Sequence, residues 1–66
     1  MIVTMQKGYE AEQLQRVIEQ LEAAGFHTQV IQGTEKTVIA AVGDKSRLLY
    51  IPLEAMPGVE KVIPIL

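Results

Sequence analysis

The sequence predicts an α+β domain in which a four-stranded antiparallel sheet carries two helices on one face. The chain has 66 residues, which is enough for one small domain. Along the chain, the spacing of hydrophobic residues changes from strand-like to helix-like and back. Turn-forming residues separate these segments, which follow one another in the order β-α-β-β-α-β.

The first two elements have the clearest patterns. Residues 2–6 are rich in β-branched side chains and end at Lys7-Gly8, which indicates a strand followed by a turn. Over residues 10–24 the apolar positions recur at intervals of three and four, which predicts an amphipathic helix. Gly25 stands where a glycine commonly ends a helix.

A hairpin follows the helix. Residues 26–32 and 36–42 both have the composition of strands, and the second is dense in Val, Ile and Thr. Only a short turn around Gly33-Thr34 lies between them. The sequence therefore predicts two adjacent antiparallel strands.

The second helix is the least certain element of the pattern. Asp44 is placed to cap a helix that would bury apolar residues between positions 48 and 56. Pro52 leaves two alternatives, because it either breaks this helix or occupies the first position of a shorter one. A turn at residues 57–58 then leads into a last strand over residues 59–66.

Right-handed crossovers between these elements place both helices on the same side of the sheet. This is the ferredoxin-like βαββαβ sandwich, with strand order 4-1-3-2. The second and fourth strands lie at the two edges. Pro64 suits an edge strand, where a missing N–H group leaves no hydrogen bond unmade.

The strands carry more apolar residues than a sheet covered on one face requires. The third and fourth strands are apolar at both alternating sets of positions, and Ile31 interrupts the polar set of His27 and Gln29. Aliphatic side chains must then reach the uncovered face, and such patches mark interaction surfaces. The alternative is isolated surface aliphatics, which are common. The predicted interface residues are Ile31, Ile39, Ile63 and Ile65.

Composition and charge exclude several classes of function. The formal net charge is −2, and the scattered basic residues form no face that would bind nucleic acid. The chain has no Cys and one His, so we expect neither a disulfide nor a metal site. No signal peptide or apolar run of membrane-spanning length is visible, so we expect a cytoplasmic protein without a membrane partner. The basic residues are Lys7, Arg16, Lys36, Lys45, Arg47 and Lys61.

The chain shows no catalytic constellation. It has no nucleophile with an adjacent base and no glycine-rich phosphate loop, so we predict no catalytic residues and no cofactor in this chain. It also ends at residues 63–66 inside an apolar strand, without the polar tail that is usual at a terminus. We therefore expect that residues 1–66 are a single domain cut from a longer enzyme.

Several segments together suggest a family. They are Met1-Ile2-Val3, the Gly8 turn, residues 33–39, Gly43-Asp44 and residues 56–66. In this order and spacing they resemble the N-terminal ferredoxin-like domain of bacterial 3-deoxy-7-phosphoheptulonate (DAHP) synthase, and the resemblance covers the whole chain. The segments around Gly43-Asp44 and from residue 57 onward are the most specific.

The resemblance implies a parent transferase of the shikimate pathway of aromatic amino-acid biosynthesis. That enzyme condenses phosphoenolpyruvate with erythrose 4-phosphate in a TIM barrel and uses a divalent metal. The barrel would follow residue 66 and would be the principal partner of this domain. In regulated members the front domain behaves like an ACT module, which binds tyrosine or phenylalanine between paired domains and closes over the barrel.

The resemblance also implies an effector site bordered by Gly8, Gln29 and Ile31. Tyrosine-sensitive members use a His and a Ser on the outward side of the second strand. The matching positions here are Gln29 and Ile31, and neither reproduces that pair. A role of Gly8 in turn geometry alone is the alternative.

Three hypotheses follow. The first is a regulatory domain of the synthase that acts by dimerisation and by allosteric, effector-dependent docking. The second is an assembly module that forms a homo-oligomer without a ligand. The third, an acylphosphatase-type enzyme of the same fold, requires an Arg in the loop after the first strand and an Asn nearby. That loop is Gln6-Lys7-Gly8, and the chain contains no Asn.

Overall fold

The computed structural model describes residues 1–43 and 52–64, which contain four strands, one α-helix and one short 3-10 helix. The strands form one antiparallel sheet with the order β2-β3-β1-β4, which is the predicted order 4-1-3-2 read from the other edge. The elements are β1 (Ile2–Met5), α1 (Ala11–Ala23), β2 (His27–Gln32), β3 (Thr37–Val42), the 3-10 helix (Leu53–Ala55) and β4 (Val59–Ile63).

The predicted second helix falls mainly on residues 44–51, which lie outside the described residues. After them, Pro52 precedes the single 3-10 turn Leu53–Ala55. This turn is shorter than the helix to Met56 that the sequence left open, and it is not α-helical. The described part of the chain therefore contains one α-helix, and the second stays a prediction. None of the helices described is long and apolar enough to cross a membrane.

Hydrogen bonds fix both ends of α1. At its start the N–H of Glu10 donates to Oε1 of Gln13 at 2.9 Å, so a side chain of the first turn closes back on the capping residue. At its end the N–H of Gly25 donates to the carbonyl of Glu22, and the N–H of Phe26 donates to the carbonyl of Leu21 at 3.0 Å. This pair of bonds is the Schellman arrangement. The helix thus begins and ends within one residue of the predicted bounds.

The core lies between α1 and the two central strands. Val17 and Leu21 are the buried residues of the helix, and they belong to one cluster with Val3 and Met5 of β1. Full burial of such a side chain contributes about 1.5–3 kcal/mol relative to leaving it exposed. Five residues of the cluster are essentially inaccessible to solvent: Met5, Leu21, Ile39, Val3 and Val17.

The register of the sheet assigns each strand residue to a face. Val3 pairs with Ile39, and Ile39 pairs with Val30, so these three share the side covered by α1. The prediction that Ile39 lies on the uncovered face is therefore wrong, since Ile39 is 0% exposed and belongs to the core. The sequence alone does not determine the face of Ile39, because β3 is apolar at both sets of alternating positions.

The last strand is shorter than predicted. β4 ends at Ile63, and Pro64 lies outside it rather than within an edge strand. The pairing of Ile63 with Ile2 is the last one because β1 begins at Ile2. Residues 65–66, and with them the predicted interface residue Ile65, lie outside the described residues.

Candidate functional site: the face of the sheet opposite α1

The side of the sheet that faces away from α1 consists of cross-strand rows. Side chains directly opposite one another on neighbouring strands contact each other, so each row is a continuous strip of surface. The four strands span about 14 Å at the usual spacing between strands. From β2 towards β4 the rows are Ile31-Val38-Thr4-Lys61, Gln29-Ala40-Ile2-Ile63 and the shorter His27-Val42.

Aliphatic side chains on this face are accessible to solvent. Ile31 is 51% exposed and Ile63 is 43% exposed, and they lie on the two edge strands. Val42, at one end of the same face, is 73% exposed. Half-buried Ile2 and Val38 lie between the edges, so Ile31 and Ile63 belong to one apolar surface. We call this surface, formed by Ile2, Ile31, Val38, Ala40 and Ile63, the open-face patch.

Gln29 and Ile31, two of the predicted effector residues, lie side by side on this face. They are two positions apart on β2, so both side chains leave the same side of the strand at a spacing of about 7 Å. Gln29 lies opposite Ala40, and Ile31 lies opposite Val38. The pair thus offers an amide group beside an aliphatic side chain, with an apolar neighbour for each.

Gly8, the third predicted effector residue, lies in a different place. It belongs to the loop after β1, has φ +85°, and lines a concavity of about 250 Å³ at the end of the sheet. The turn between β2 and β3 forms the other wall, and the hydroxyls of Tyr9 and Thr37 hydrogen-bond there at 3.0 Å. Neither Gln29 nor Ile31 lines this concavity. The fold therefore brings two of the three residues together and leaves Gly8 apart.

Charged residues gather at the same end of the sheet. A second concavity of about 320 Å³ is lined by Lys7, Glu35, Lys36 and Glu60 together with Thr34. Nζ of Lys36 lies 3.8 Å from Oε1 of Glu60, and both side chains are exposed, so this ion pair contributes about 0–1 kcal/mol. In the sequence these charges are scattered. The end of β1 and the starts of β3 and β4 meet here, and no spacing along the chain signals that meeting.

The resemblance implies a divalent metal for a barrel domain and none for this chain. In the part of this chain that the structure describes, no three His, Asp or Glu side chains come close enough together to hold a metal ion. His27 is exposed on β2.

Comparison with known proteins assigns the chain to a family. A search of curated proteins finds no match. A solved structure of phospho-2-dehydro-3-deoxyheptonate aldolase (DAHP synthase) from Thermotoga maritima is similar, with 28% sequence identity and a TM-score of 0.87. The similarity covers 98% of this chain and 19% of that one, so the chain spans about a fifth of its relative. Residues 1–66 also match the family described as the DAHP synthase ferredoxin-like domain. The chain therefore belongs to the DAHP synthase ferredoxin-like domain family.

Proposed function

We propose that this chain is the regulatory and docking domain of a cytoplasmic DAHP synthase, a transferase of the shikimate pathway. The observation that carries the proposal is the open-face patch, which the described residues of the chain leave accessible at Ile31 and Ile63. Family membership supplies the parent enzyme. The domain acts by dimerisation and by docking this face, and its catalytic partner is a TIM barrel in the same polypeptide.

The physical argument rests on burial. Covering apolar surface contributes about 25 cal/mol per Å², so two exposed isoleucines and their half-buried neighbours favour association over solvation. A chain of this length also has little surplus stability, because its core only just offsets the entropy lost on folding. A partner on the open-face patch would bury further apolar surface and would thereby also stabilise the fold.

An aromatic amino acid is the effector that the face best accommodates. The ring of tyrosine or phenylalanine would pack on Ile31 and Val38, and the amide of Gln29 can both donate to a carboxylate and accept from an ammonium group. Gly8 would contribute only if the effector or a paired domain spans the distance from the face to the end of the sheet.

An NMR titration tests the effector proposal. Phenylalanine, tyrosine and tryptophan are added separately to the labelled 66-residue chain, and we expect shifts centred on Gln29 and Ile31. Gln29→Ala should weaken the response, whereas Gln15→Ala, on the exposed side of α1, should leave it unchanged. The absence of shifts with all three amino acids at millimolar concentration would contradict the proposal for this chain.

A ligand-independent assembly module is the second candidate. The observation that favours it is the identity of Ile31, which can make apolar contacts but no hydrogen bond to an effector. In that case the chain associates equally well with and without aromatic amino acids, and Ile63→Ser weakens the association. Sedimentation velocity with and without phenylalanine distinguishes the two candidates.

A further inference from the structure

The two edges of the sheet differ in how well they are protected against pairing with another strand. The β4 edge carries Glu60 and Lys61, is followed by Pro64, and has a register shift opposite Thr4 and Met5. Charges, prolines and bulges are the usual devices that block edge-to-edge pairing. The β2 edge has none of them, since His27–Gln32 contains no carboxylate, Lys, Arg or Pro and pairs with β3 without a shift.

The backbone of β2 offers a regular row of free groups. The N–H of Gly33 donates to the carbonyl of Lys36 at 2.8 Å, which identifies the odd-numbered residues of β2 as those bonded to β3. The N–H and C=O groups of Thr28, Val30 and Gln32 therefore point away from the sheet. No other residue of the described chain accepts from or donates to them.

We propose that β2 pairs antiparallel with β2 of a second copy of this chain, which joins two four-stranded sheets into one. A two-fold axis perpendicular to the sheet makes the strands antiparallel and keeps the open faces of both copies on the same side. Residues that share a face must then pair. If Val30 pairs with Val30 of the second copy, then Thr28 of each copy pairs with Gln32 of the other. The three outward residues of each strand then form about six backbone hydrogen bonds between the two copies.

The side chains of β2 agree with this register. On the open face, Gln29 would lie opposite Ile31 of the second copy, so the open-face patch continues from one copy into the other. No ionised carboxylate or ammonium group loses water when the strands meet, because β2 contains neither. A second copy also brings a strand that is already ordered, whereas a free peptide would lose conformational entropy on binding.

This surface differs from the one invoked in the proposed function. Edge pairing uses the outer backbone of β2, and docking of the open face uses side chains up to Ile63 on the opposite edge strand. Ile63→Ser should therefore weaken docking of the open face and leave edge pairing intact. Failure of one proposal does not imply failure of the other.

Backbone N-methylation tests the pairing, with a matched control in the same sheet. Val30 and Val62 are both half-buried valines on edge strands. The outward direction of the Val30 N–H is given above. In β1, Ile2 and Thr4 are the residues that hydrogen-bond to β4, and they lie opposite Ile63 and Lys61. Val62 lies between those two residues, so its N–H points away from the sheet. A methyl group on Val30 blocks the proposed pairing, and a methyl group on Val62 does not.

Sedimentation velocity of the synthetic 66-residue chain is measured up to about 1 mM, a range that detects weak dimers. We expect a concentration-dependent dimer that N-methylation of Val30 weakens by at least about tenfold, since two hydrogen bonds are lost. N-methylation of Val62 should change the dimer constant less than about twofold, because Val62 lies on the opposite edge of the sheet from the proposed pairing. A chain that stays monomeric, or a dimer that tolerates the Val30 modification, would overturn the proposal.

Hydrogen exchange provides a readout that needs no modified chain and remains decisive if N-methylation of Val30 prevents folding. The amides of Thr28, Val30 and Gln32 should gain protection as the concentration of the unmodified chain rises. The amide of Val62 should not. Equal protection at low and high concentration for all four amides would refute the pairing.

Discussion

Gly58 is the position where a single added carbon should reveal how the start of α1 is held. Gly58 is buried and has φ +89°. A Cβ at this position would lie 2.7 Å from Oε1 and 2.9 Å from Cβ of Gln13. Oε1 of Gln13 accepts the hydrogen bond from the N–H of Glu10 that closes the first turn of the helix. Gly58→Ala thus strains the backbone and displaces the capping side chain at the same time.

The expected loss of unfolding free energy is the sum of these two effects. A left-handed backbone conformation costs a residue with a side chain about 1–2 kcal/mol. Loss of the hydrogen bond between Glu10 and Gln13 costs about 0.5–1.5 kcal/mol. Gly58→Ala should therefore reduce the free energy of unfolding by about 1.5–3.5 kcal/mol. A domain of this length has only about 3–10 kcal/mol in total.

Urea denaturation followed by circular dichroism measures this loss, and Gly8→Ala is the control. Gly8 has a similar φ of +85°, but nothing lies within 4 Å of a Cβ placed there. Gly8→Ala should show the backbone cost alone, about 1–2 kcal/mol. In a Gln13→Ala background the additional cost of Gly58→Ala should fall by about 0.5–1.5 kcal/mol, because the hydrogen bond to Glu10 is already absent, while the close contact with Cβ of residue 13 remains. Equal losses for Gly8→Ala and Gly58→Ala in the unmodified chain would refute the role assigned to Gln13.

Two further predictions concern the core and the loop after β1. Ile39→Ala should destabilise the fold by about 2–5 kcal/mol because Ile39 is fully buried, whereas Ile31→Ala should cost less than about 0.5 kcal/mol in the monomer. Thermal denaturation of both variants at low concentration checks this, and similar losses would contradict the assignment of the two faces. Tyr9→Phe should cost about 0.5–1.5 kcal/mol through the lost hydrogen bond to Thr37. A double-mutant cycle with Thr37→Val measures that coupling, and a coupling near zero would show that the hydroxyls do not stabilise the loop.

The strands of the first half and the helix could be predicted because each signal there is local. The apolar spacing of three and four determines α1, and a glycine at position 25 marks its end. Predicted and observed bounds differ by one residue for β1, α1, β2 and β3. The strand order follows from the order of the elements and the handedness of crossovers, and it is confirmed.

The assignment of Ile39 and Ile31 to faces required the register. Both are isoleucines in apolar strands, and a shift by one residue exchanges the faces. The pairing of Val3 with Ile39 places that side chain under α1, and the pairing of Ile31 with Val38 places Ile31 on the other side. Periodicity alone contains no information on this choice when both sets of positions are apolar.

The candidate site could be predicted only in part for a similar reason. Gln29 and Ile31 are two residues apart on one strand, so their proximity is local and the sequence indicates it. The charged group of Lys7, Lys36 and Glu60 depends on three chain segments that meet only after folding. These residues are far apart in the sequence, and only the arrangement of the strands in the sheet makes them neighbours.

The central position of β1 has a kinetic consequence. The β2–β3 hairpin closes over a short turn, and such hairpins form in about 1–10 μs. β1 instead pairs on one side with β3 and on the other with β4, whose residues come almost last in the chain. The rate-limiting event should therefore be the pairing of β1 with β3 and β4, which are distant from it in the sequence, and a fragment lacking β1 or β4 should remain unfolded.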